Sequence, residues 1–108
     1  MYFYKAADRK SKEIVPGGII RTFWGDNTLL SVVDLGPNVE VPLHTHPQEQ
    51  SGMVLEGQIE MEIDGESRTL KTGDIYIIPG GIEHSAKTSS AHAHVLDIFS
   101  PVREDYKY

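Results

Sequence analysis

Cysteine is absent from this chain of 108 residues. Disulfide bonds and thiolate metal sites are therefore excluded, and any metal ion must be held by nitrogen and oxygen atoms. The sequence also lacks an apolar run close to the ~20 residues that a membrane-spanning helix needs. Its first residues lack the basic-then-apolar order of a signal peptide. These absences predict a cytoplasmic protein that does not bind a membrane.

Basic residues are few as well. The chain has 10 Lys and Arg against 16 Asp and Glu, which gives a net charge of −6, and no basic cluster appears. This excludes the electrostatic footprint of a protein that binds nucleic acid. A small anionic substrate is compatible with the composition if one or two basic side chains lie at its site. The length predicts a single domain over 1–108, with a core from about 14 to 100, an N-terminal edge strand and a C-terminal tail.

Long amphipathic helices are also missing, and short strand-like segments take their place. The segment 58–63 alternates polar and apolar residues and runs into Asp64-Gly65, a strong hairpin signal. Further strands are predicted within 1–13 and at 19–24, 29–35, 52–55, 68–71, 75–78, 82–87 and 91–99. The strand at 52–55 is expected to stop at Glu56 and Gly57, and a helical turn is possible at 102–106. About nine short strands of this kind predict an all-β barrel or sandwich.

The stretch from His44 to Gln50 carries the clearest chemical signal. His44, His46 and Gln50 share one parity, so their side chains point the same way in an extended strand. His84 ends a second stretch, which begins at the turn residue Gly73. Neutral imidazole suits divalent first-row metals. We therefore expect one divalent ion (Ni, Mn, Zn, Fe or Co) on His44, His46, Gln50 and His84.

Neighbouring polar residues do not share this direction. Glu49 has the opposite parity, so it is expected to face outward or to support the ligands indirectly. His92 and His94 form a second His-x-His pattern, but Ile98 stands where a further ligand would be needed. We interpret these two histidines as part of a strand face that points away from the metal.

The two stretches resemble the paired motifs of single-domain cupins. The first motif is matched by Gly36, His44, His46, Gln50 and Gly57, and the second by Gly73, Pro79, Gly81 and His84. The resemblance implies a double-stranded β-helix (jelly-roll) barrel that binds a metal. It also implies a homodimer, for which Tyr2, Phe3, Tyr4 and Trp24 are candidate interface residues. Two positions depart from the family pattern, since Gln50 replaces a glutamate and Lys87 or Thr88 replaces an asparagine.

The C-terminal segment resembles the pectin-degradation cupins of the KdgF type. Asp97, Phe99 and Arg103 match that subgroup, and Gln50 agrees with its His-His-Gln-His site. The resemblance implies a metal-dependent, isomerase- or lyase-like enzyme of carbohydrate metabolism that converts 4,5-unsaturated uronates to linear keto sugars. Asp97, Phe99 and Arg103 would then be catalytic. Two alternatives stay open, namely an Fe(II)-dependent cupin dioxygenase and a non-catalytic module that binds a sugar acid or another small ligand.

Overall fold

Nine β-strands form a nearly closed, barrel-shaped sheet in the computed structural model, which describes residues 2–108. The strands are β1 (Lys12–Val15), β2 (Gly18–Trp24), β3 (Leu29–Leu35), β4 (Glu40–His44), β5 (Glu49–Ile63), β6 (Glu66–Lys71), β7 (Ile75–Ile78), β8 (His84–Lys87) and β9 (Ala93–Ser100). Short 3-10 helices cover Ala6–Asp8 and Glu104–Tyr106. The predicted all-β jelly-roll class is confirmed. Within the described part of the chain, no helix is long and apolar enough to cross a membrane.

Strand β5 is the hub of the sheet. The strand order is β1-β2-β3-β9-β5-β8-β4, and β6 and β7 also pair with β5. Residues 49–57 of β5 pair with β9, whereas residues 58–63 pair with β6. Both ladders are antiparallel, and so are the pairings of β5 with β7 and β8. One long strand therefore joins the two halves of the barrel.

The strand end expected at Glu56 and Gly57 is wrong, because β5 continues through both residues. The register between β5 and β9 shifts between Val54 and Glu56, so Leu55 is an extra, bulged residue. Gly57 has a φ of 88°, and a Cβ at this position would overlap the backbone carbonyl of His92. These residues make a bend inside a strand, where the sequence favoured a turn between two strands.

The N-terminal edge strand expected within 1–13 is confined to the end of that range. A 3-10 helix covers Ala6–Asp8, and β1 begins at Lys12; Met1 lies outside the described residues. Three consecutive aromatic side chains precede the helix, and all are exposed: Tyr2, Phe3 and Tyr4. Trp24 is 40% exposed. Core packing therefore does not account for these four aromatics, and the homodimer associated with them stays a prediction.

The C-terminal tail closes one end of the barrel. Phe99 packs with Leu29 and Val102 in a small apolar cluster, and Tyr106 contacts both this cluster and the main core. The backbone oxygen of Tyr106 accepts a hydrogen bond of 2.7 Å from the Thr22 hydroxyl. The helical turn expected at 102–106 is present as the 3-10 helix Glu104–Tyr106. The tail is thus part of the barrel wall.

Thr88 ties the end of β8 to the loop that enters β4. Its buried hydroxyl donates to the Gly36 carbonyl over 2.6 Å and accepts from the Val39 N–H over 3.0 Å. Its own N–H donates to the Val39 carbonyl. Thr88 is one of the two residues, with Lys87, expected at the position of the asparagine in the cupin pattern, and its hydroxyl satisfies two backbone groups.

We expect Thr88→Val to lower the free energy of unfolding by about 1–3 kcal/mol, because an isosteric apolar side chain leaves two backbone groups without partners. Urea unfolding measures the change. The matched control is Thr69→Val, an exposed position on β6, where the change should stay within about 0.5 kcal/mol. Equal changes in the two variants would contradict this role of Thr88.

Candidate metal centre

Three histidines converge at one end of the barrel. His44 ends β4 and pairs directly with His84 at the start of β8. His46 lies in the connection between β4 and β5. One ring nitrogen from each histidine lies within 4.8 Å of the other two, and His46 and His84 are buried. This spacing is suited to three ligands of one ion.

The alternation in the sequence placed His44, His46 and Gln50 in one extended strand. That expectation is wrong, because the three residues do not belong to one strand. Strand β4 ends at His44 and β5 begins at Glu49, with Pro47 in the break. Gln50 nevertheless faces the interior, and its Oε1 lies 3.0 Å from His46 Nε2. Glu49 is exposed on the opposite face. The candidate ligands therefore come from two strands and the segment that joins them.

A glycine pair holds the second motif against the first. The Gly81 N–H donates to the His46 carbonyl over 2.9 Å. A Cβ on Gly80 would overlap the carbonyl oxygen of Pro47. Gly81 has a φ of 82°, which favours glycine. This close contact of Gly80 was not predicted from the sequence, although the two consecutive glycines at 80 and 81 could have indicated it.

Each imidazole is oriented by a backbone carbonyl two residues earlier or later in the chain. The Nδ1 atoms lie 2.8–3.0 Å from these oxygens, in the pairs His44 with Pro42, His46 with Gln48, and His84 with Ile82. A carbonyl only accepts hydrogen bonds, so a neutral ring places its hydrogen on Nδ1 and keeps a lone pair on Nε2. His44 and His84 therefore offer Nε2 as a metal-ligand atom, and Nε2 of His46 faces the oxygen of the candidate ligand Gln50.

A divalent ion fits this set of residues. His84 Nε2 is buried and has no hydrogen-bond partner among the described residues. Such an atom costs free energy unless another group uses its lone pair. Three imidazole nitrogens with a nearby amide oxygen form a donor set that divalent first-row metals accept. His44, His46 and His84, with Gln50, are thus able to hold one ion.

Burial favours the neutral form of two of the candidate ligand histidines. It lowers the pKa of His84 to about 4, and the charge of Arg103 acts in the same direction. Burial, followed by the charge of Arg103, also lowers the pKa of His46. Neither ring must lose a proton before it binds a metal at neutral pH. The lowered pKa values of His46 and His84 therefore support metal binding.

Asp97, Gly52 and Tyr76 form a cross-strand row on β9, β5 and β7. The Tyr76 hydroxyl donates to Asp97 Oδ1 over 2.5 Å, and a Cβ on Gly52 would overlap both side chains. Burial raises the pKa of Asp97 to about 6, although hydrogen bonds from Tyr76 and Gln50 oppose the rise. Burial also raises the pKa of Tyr76, so the phenol stays a donor. Tyr76 and Gly52 were not predicted, because their contact depends on strand register.

The tail brings a cation to the same end of the barrel. The Arg103 guanidinium lies 3.8 Å from the ring centroid of Tyr106 and 5.2 Å from that of Phe99. Its side chain is 12% exposed, and its Nε donates to Asp105. Phe99 in turn lies edge-on to His46, with ring centroids 5.4 Å apart. Arg103 therefore lies against the Tyr106 ring, with Phe99 farther away, beside the histidines.

The predicted site residues lie around one small cavity. Its volume is about 60 Å³, room for roughly two water molecules. Six of the seven predicted residues line it: His44, Gln50, His84, Asp97, Phe99 and Arg103. The seventh, His46, contacts Gln50 and Phe99. The structure therefore places the candidate ligands and the candidate catalytic residues in one site.

Comparison with known proteins identifies a matching family and several similar proteins. A family model described as "Cupin domain" matches residues 31–99. The pectin degradation protein KdgF of Dickeya dadantii is 31% identical over 84 residues, which are 77% of this chain and 76% of that protein. The solved structure of KdgF from Halomonas sp. is 26% identical with a TM-score of 0.91, covering 99% of each chain. Quercetin 2,3-dioxygenase of Bacillus subtilis is 36% identical over 73 residues, or 67% of this chain, but the match spans only 22% of that protein.

We expect His84→Ala to weaken metal binding by more than about 100-fold, because losing a direct ligand costs more than losing a group that orients one. Equimolar Zn²⁺ should raise the melting temperature of chelator-treated wild-type protein, since the ion binds the folded state. The same addition should raise the melting temperature of His84→Ala much less than that of the wild type. Thr69→Val, remote from the histidines, should keep the full shift. An undiminished shift in His84→Ala would remove His84 from the ligand set.

Replacing Gly52 tests the cross-strand row. We expect Gly52→Ala to lower the free energy of unfolding by about 1–3 kcal/mol, because the added methyl group has no room between Tyr76 and Asp97. Gly25→Ala is the matched control, since nothing lies within 4 Å of a Cβ there. Urea unfolding of both variants measures the difference. Equal stability would show that the row is loosely packed.

Proposed function

Because this chain belongs to the cupin family, we propose that it is a metal-dependent enzyme that opens the ring of 4,5-unsaturated uronates. The observation that carries the proposal is the charge of the site. Imidazole and amide ligands carry no negative charge, so they would leave the charge of a divalent ion uncompensated, and Arg103 adds another positive charge nearby. Even with Asp97 ionised, the site keeps an excess of positive charge. A small anion such as a sugar carboxylate suits this field.

The KdgF relatives support the class of substrate. Lyase cleavage of a pectin chain leaves a 4,5-unsaturated uronate at the new end of the polymer. This chain carries the matching tail residues Asp97, Phe99 and Arg103, and it has Gln50 among the candidate ligands. Relatives and site charge therefore favour the same kind of molecule.

The proposed reaction is an isomerisation. The anomeric hydroxyl loses a proton and becomes an aldehyde, the bond between the anomeric carbon and the ring oxygen breaks, and the ring oxygen becomes a ketone oxygen. Carbon 4 gains a proton as the double bond is consumed. Substrate and product have the same composition, so the reaction needs no oxidant and no second substrate. One group that moves protons, together with binding groups, is enough.

A divalent ion on His44, His46, His84 and Gln50 would supply a Lewis acid for the oxygen that gathers negative charge. Asp97 is the candidate for moving protons, because its carboxylate lines the same cavity as Gln50 and His84. A pKa raised to about 6 by burial leaves Asp97 ionised at neutral pH but basic enough to accept a proton.

Tyr76 is proposed as a positioning residue. Its hydroxyl donates to Oδ1 of Asp97 and fixes the direction of the carboxylate. The buried phenol does not release its own proton at neutral pH, since its pKa is raised. The orientation of Asp97 therefore does not depend on solvent.

Arg103 and Phe99 are proposed to bind the substrate. The planar guanidinium of Arg103 suits paired hydrogen bonds to a sugar carboxylate. Phe99, buried beside His46, offers an apolar surface to a sugar face and excludes water. These two residues would set the orientation of the ring relative to Asp97.

The tail is proposed to move when a sugar acid binds. The cavity of about 60 Å³ is smaller than a uronate, and Arg103 and Tyr106 are among its walls. Displacing the tail opens the cavity, and its return brings Arg103 onto the carboxylate and sheds water from the site.

The direct test incubates the metal-loaded protein with unsaturated galacturonate and follows loss of the absorbance of the conjugated double bond. We expect a loss faster than the spontaneous reaction, and a chelator-treated sample should not show it. No acceleration with any of Ni, Mn, Zn, Co or Fe would overturn the proposal.

Asp97→Asn tests the role of the carboxylate. We expect kcat to fall by at least about 100-fold, because the amide keeps the shape of the side chain but does not accept the proton. Metal content should not change. Asp26→Asn, in an exposed turn, should retain wild-type kcat. Normal turnover in the Asp97→Asn variant would contradict the assignment of Asp97.

A second candidate function is favoured by the match to quercetin 2,3-dioxygenase. In that case the Fe(II)-loaded protein would consume oxygen with a phenolic or diketone substrate and leave the uronate unchanged. If metal binds but neither reaction occurs, a module that holds a sugar acid without turnover becomes the better explanation.

A further inference from the structure

A second cluster of potential metal ligands lies outside the central site. Glu56 on β5, His94 on β9 and His92 just before β9 each offer one ligand atom, and these atoms lie within 4.8 Å of one another. Ala93 and Val95 point into the barrel and are buried, so His92 and His94 occupy the outer face. We propose that Glu56, His92 and His94, here called the outer site, bind a divalent transition-metal ion. This proposal is independent of the uronate reaction.

The bulge in β5 builds the outer site. Val54 is buried, and regular alternation would place Glu56 inside as well. The extra residue Leu55 shifts the alternation, so Glu56 is exposed and pairs with His94 across the ladder. Bulges occur where a strand must redirect a side chain. Here the bulge places a carboxylate on the same face as two imidazoles.

The distances suit coordination. His92 Nε2 lies 3.2 Å from Glu56 Oε1. Two ligand atoms on a tetrahedral zinc ion are about 3.3 Å apart, given bonds of about 2.0–2.1 Å. The His92 and Glu56 side chains are 53% and 66% exposed, so an ion reaches them from solution, and small rotations of these two side chains close the remaining distance to His94. Two imidazoles and one carboxylate are typical of zinc sites that keep one position for water.

His94 also has a partner that orients its ring. Its Nδ1 contacts Asp34 Oδ1 from β3, and Arg21 holds the other carboxylate oxygen of Asp34 over 3.0 Å. A carboxylate bonded to one imidazole nitrogen fixes the ring and directs the other nitrogen to an ion. A bound ion would therefore connect β3, β5 and β9 and stabilise the folded chain.

The competing explanation is two separate acid–imidazole pairs, Glu56 with His92 and Asp34 with His94. Exposed pairs of this type need no ion to form. Counting bound ions separates the explanations, because only the proposal adds a binding event to that of the central site.

The experiment is a Zn²⁺ titration of the chelator-treated full chain by calorimetry. The wild type should show a tight event at the central site and a weaker one at the outer site. The double variant His92→Ala/His94→Ala should lose only the weaker event, and His84→Ala should keep it. Glu56→Gln should weaken the outer site by about tenfold or more, and Asp34→Asn by roughly 10- to 100-fold.

Glu60→Gln is the matched control for Glu56→Gln, because Glu60 is an exposed carboxylate on the same strand. It should retain both events. The exposed positions of His92 and Glu56 leave the core intact, so folding does not obscure the result. A wild type without the weaker event, or a weaker event that survives in the double variant, would overturn the proposal.

Discussion

The bulge at Leu55 determines which side chains of β5 face the interior. Before it, Gln50, Gly52 and Val54 point inward; after it, Ile59 and Met61 do. The first half of the strand thereby supplies the candidate ligand Gln50 and the glycine, Gly52, against which Tyr76 and Asp97 pack. The second half supplies the apolar core. In a regular strand, either the even-numbered or the odd-numbered residues face the interior, but not both. Without the extra residue, β5 would therefore supply either the site residues or the core residues.

Polar side chains can be buried at the metal-centre end of the barrel because nearly all of them have a partner nearby. Backbone carbonyls orient the histidine Nδ1 atoms, Tyr76 donates to Asp97, and Arg103 donates to Asp105 and lies against the Tyr106 ring. Burial favours the neutral forms of His46 and His84 beside Arg103. Among the described residues, Nε2 of His84 is the buried histidine atom left without a partner there, and it is the atom that the proposed metal ion would bind.

Local patterns in the sequence predicted most strands and the candidate ligands, because alternation and turn residues are properties of neighbours in the chain. Gln50 was correctly placed inside even though β4 and β5 are separate strands. The bulge was missed because Glu56-Gly57 has the composition of a turn. Tyr76 and Gly52 were missed because their contact depends on the register of β5 with β7 and β9. The outward direction of His94 followed from parity, but its partners Glu56 and Asp34 come from other strands.

The crowding over Gly52 also limits how this family can vary. A tyrosine at 76 and an aspartate at 97 meet directly above residue 52, so that position has no space for a side chain while both are present. A relative that keeps the pair is expected to keep the glycine. A relative that gains a side chain at 52 is expected to have a smaller residue at one of the other two positions. Substitutions at these three positions are therefore expected to be inherited together, as a single evolutionary unit.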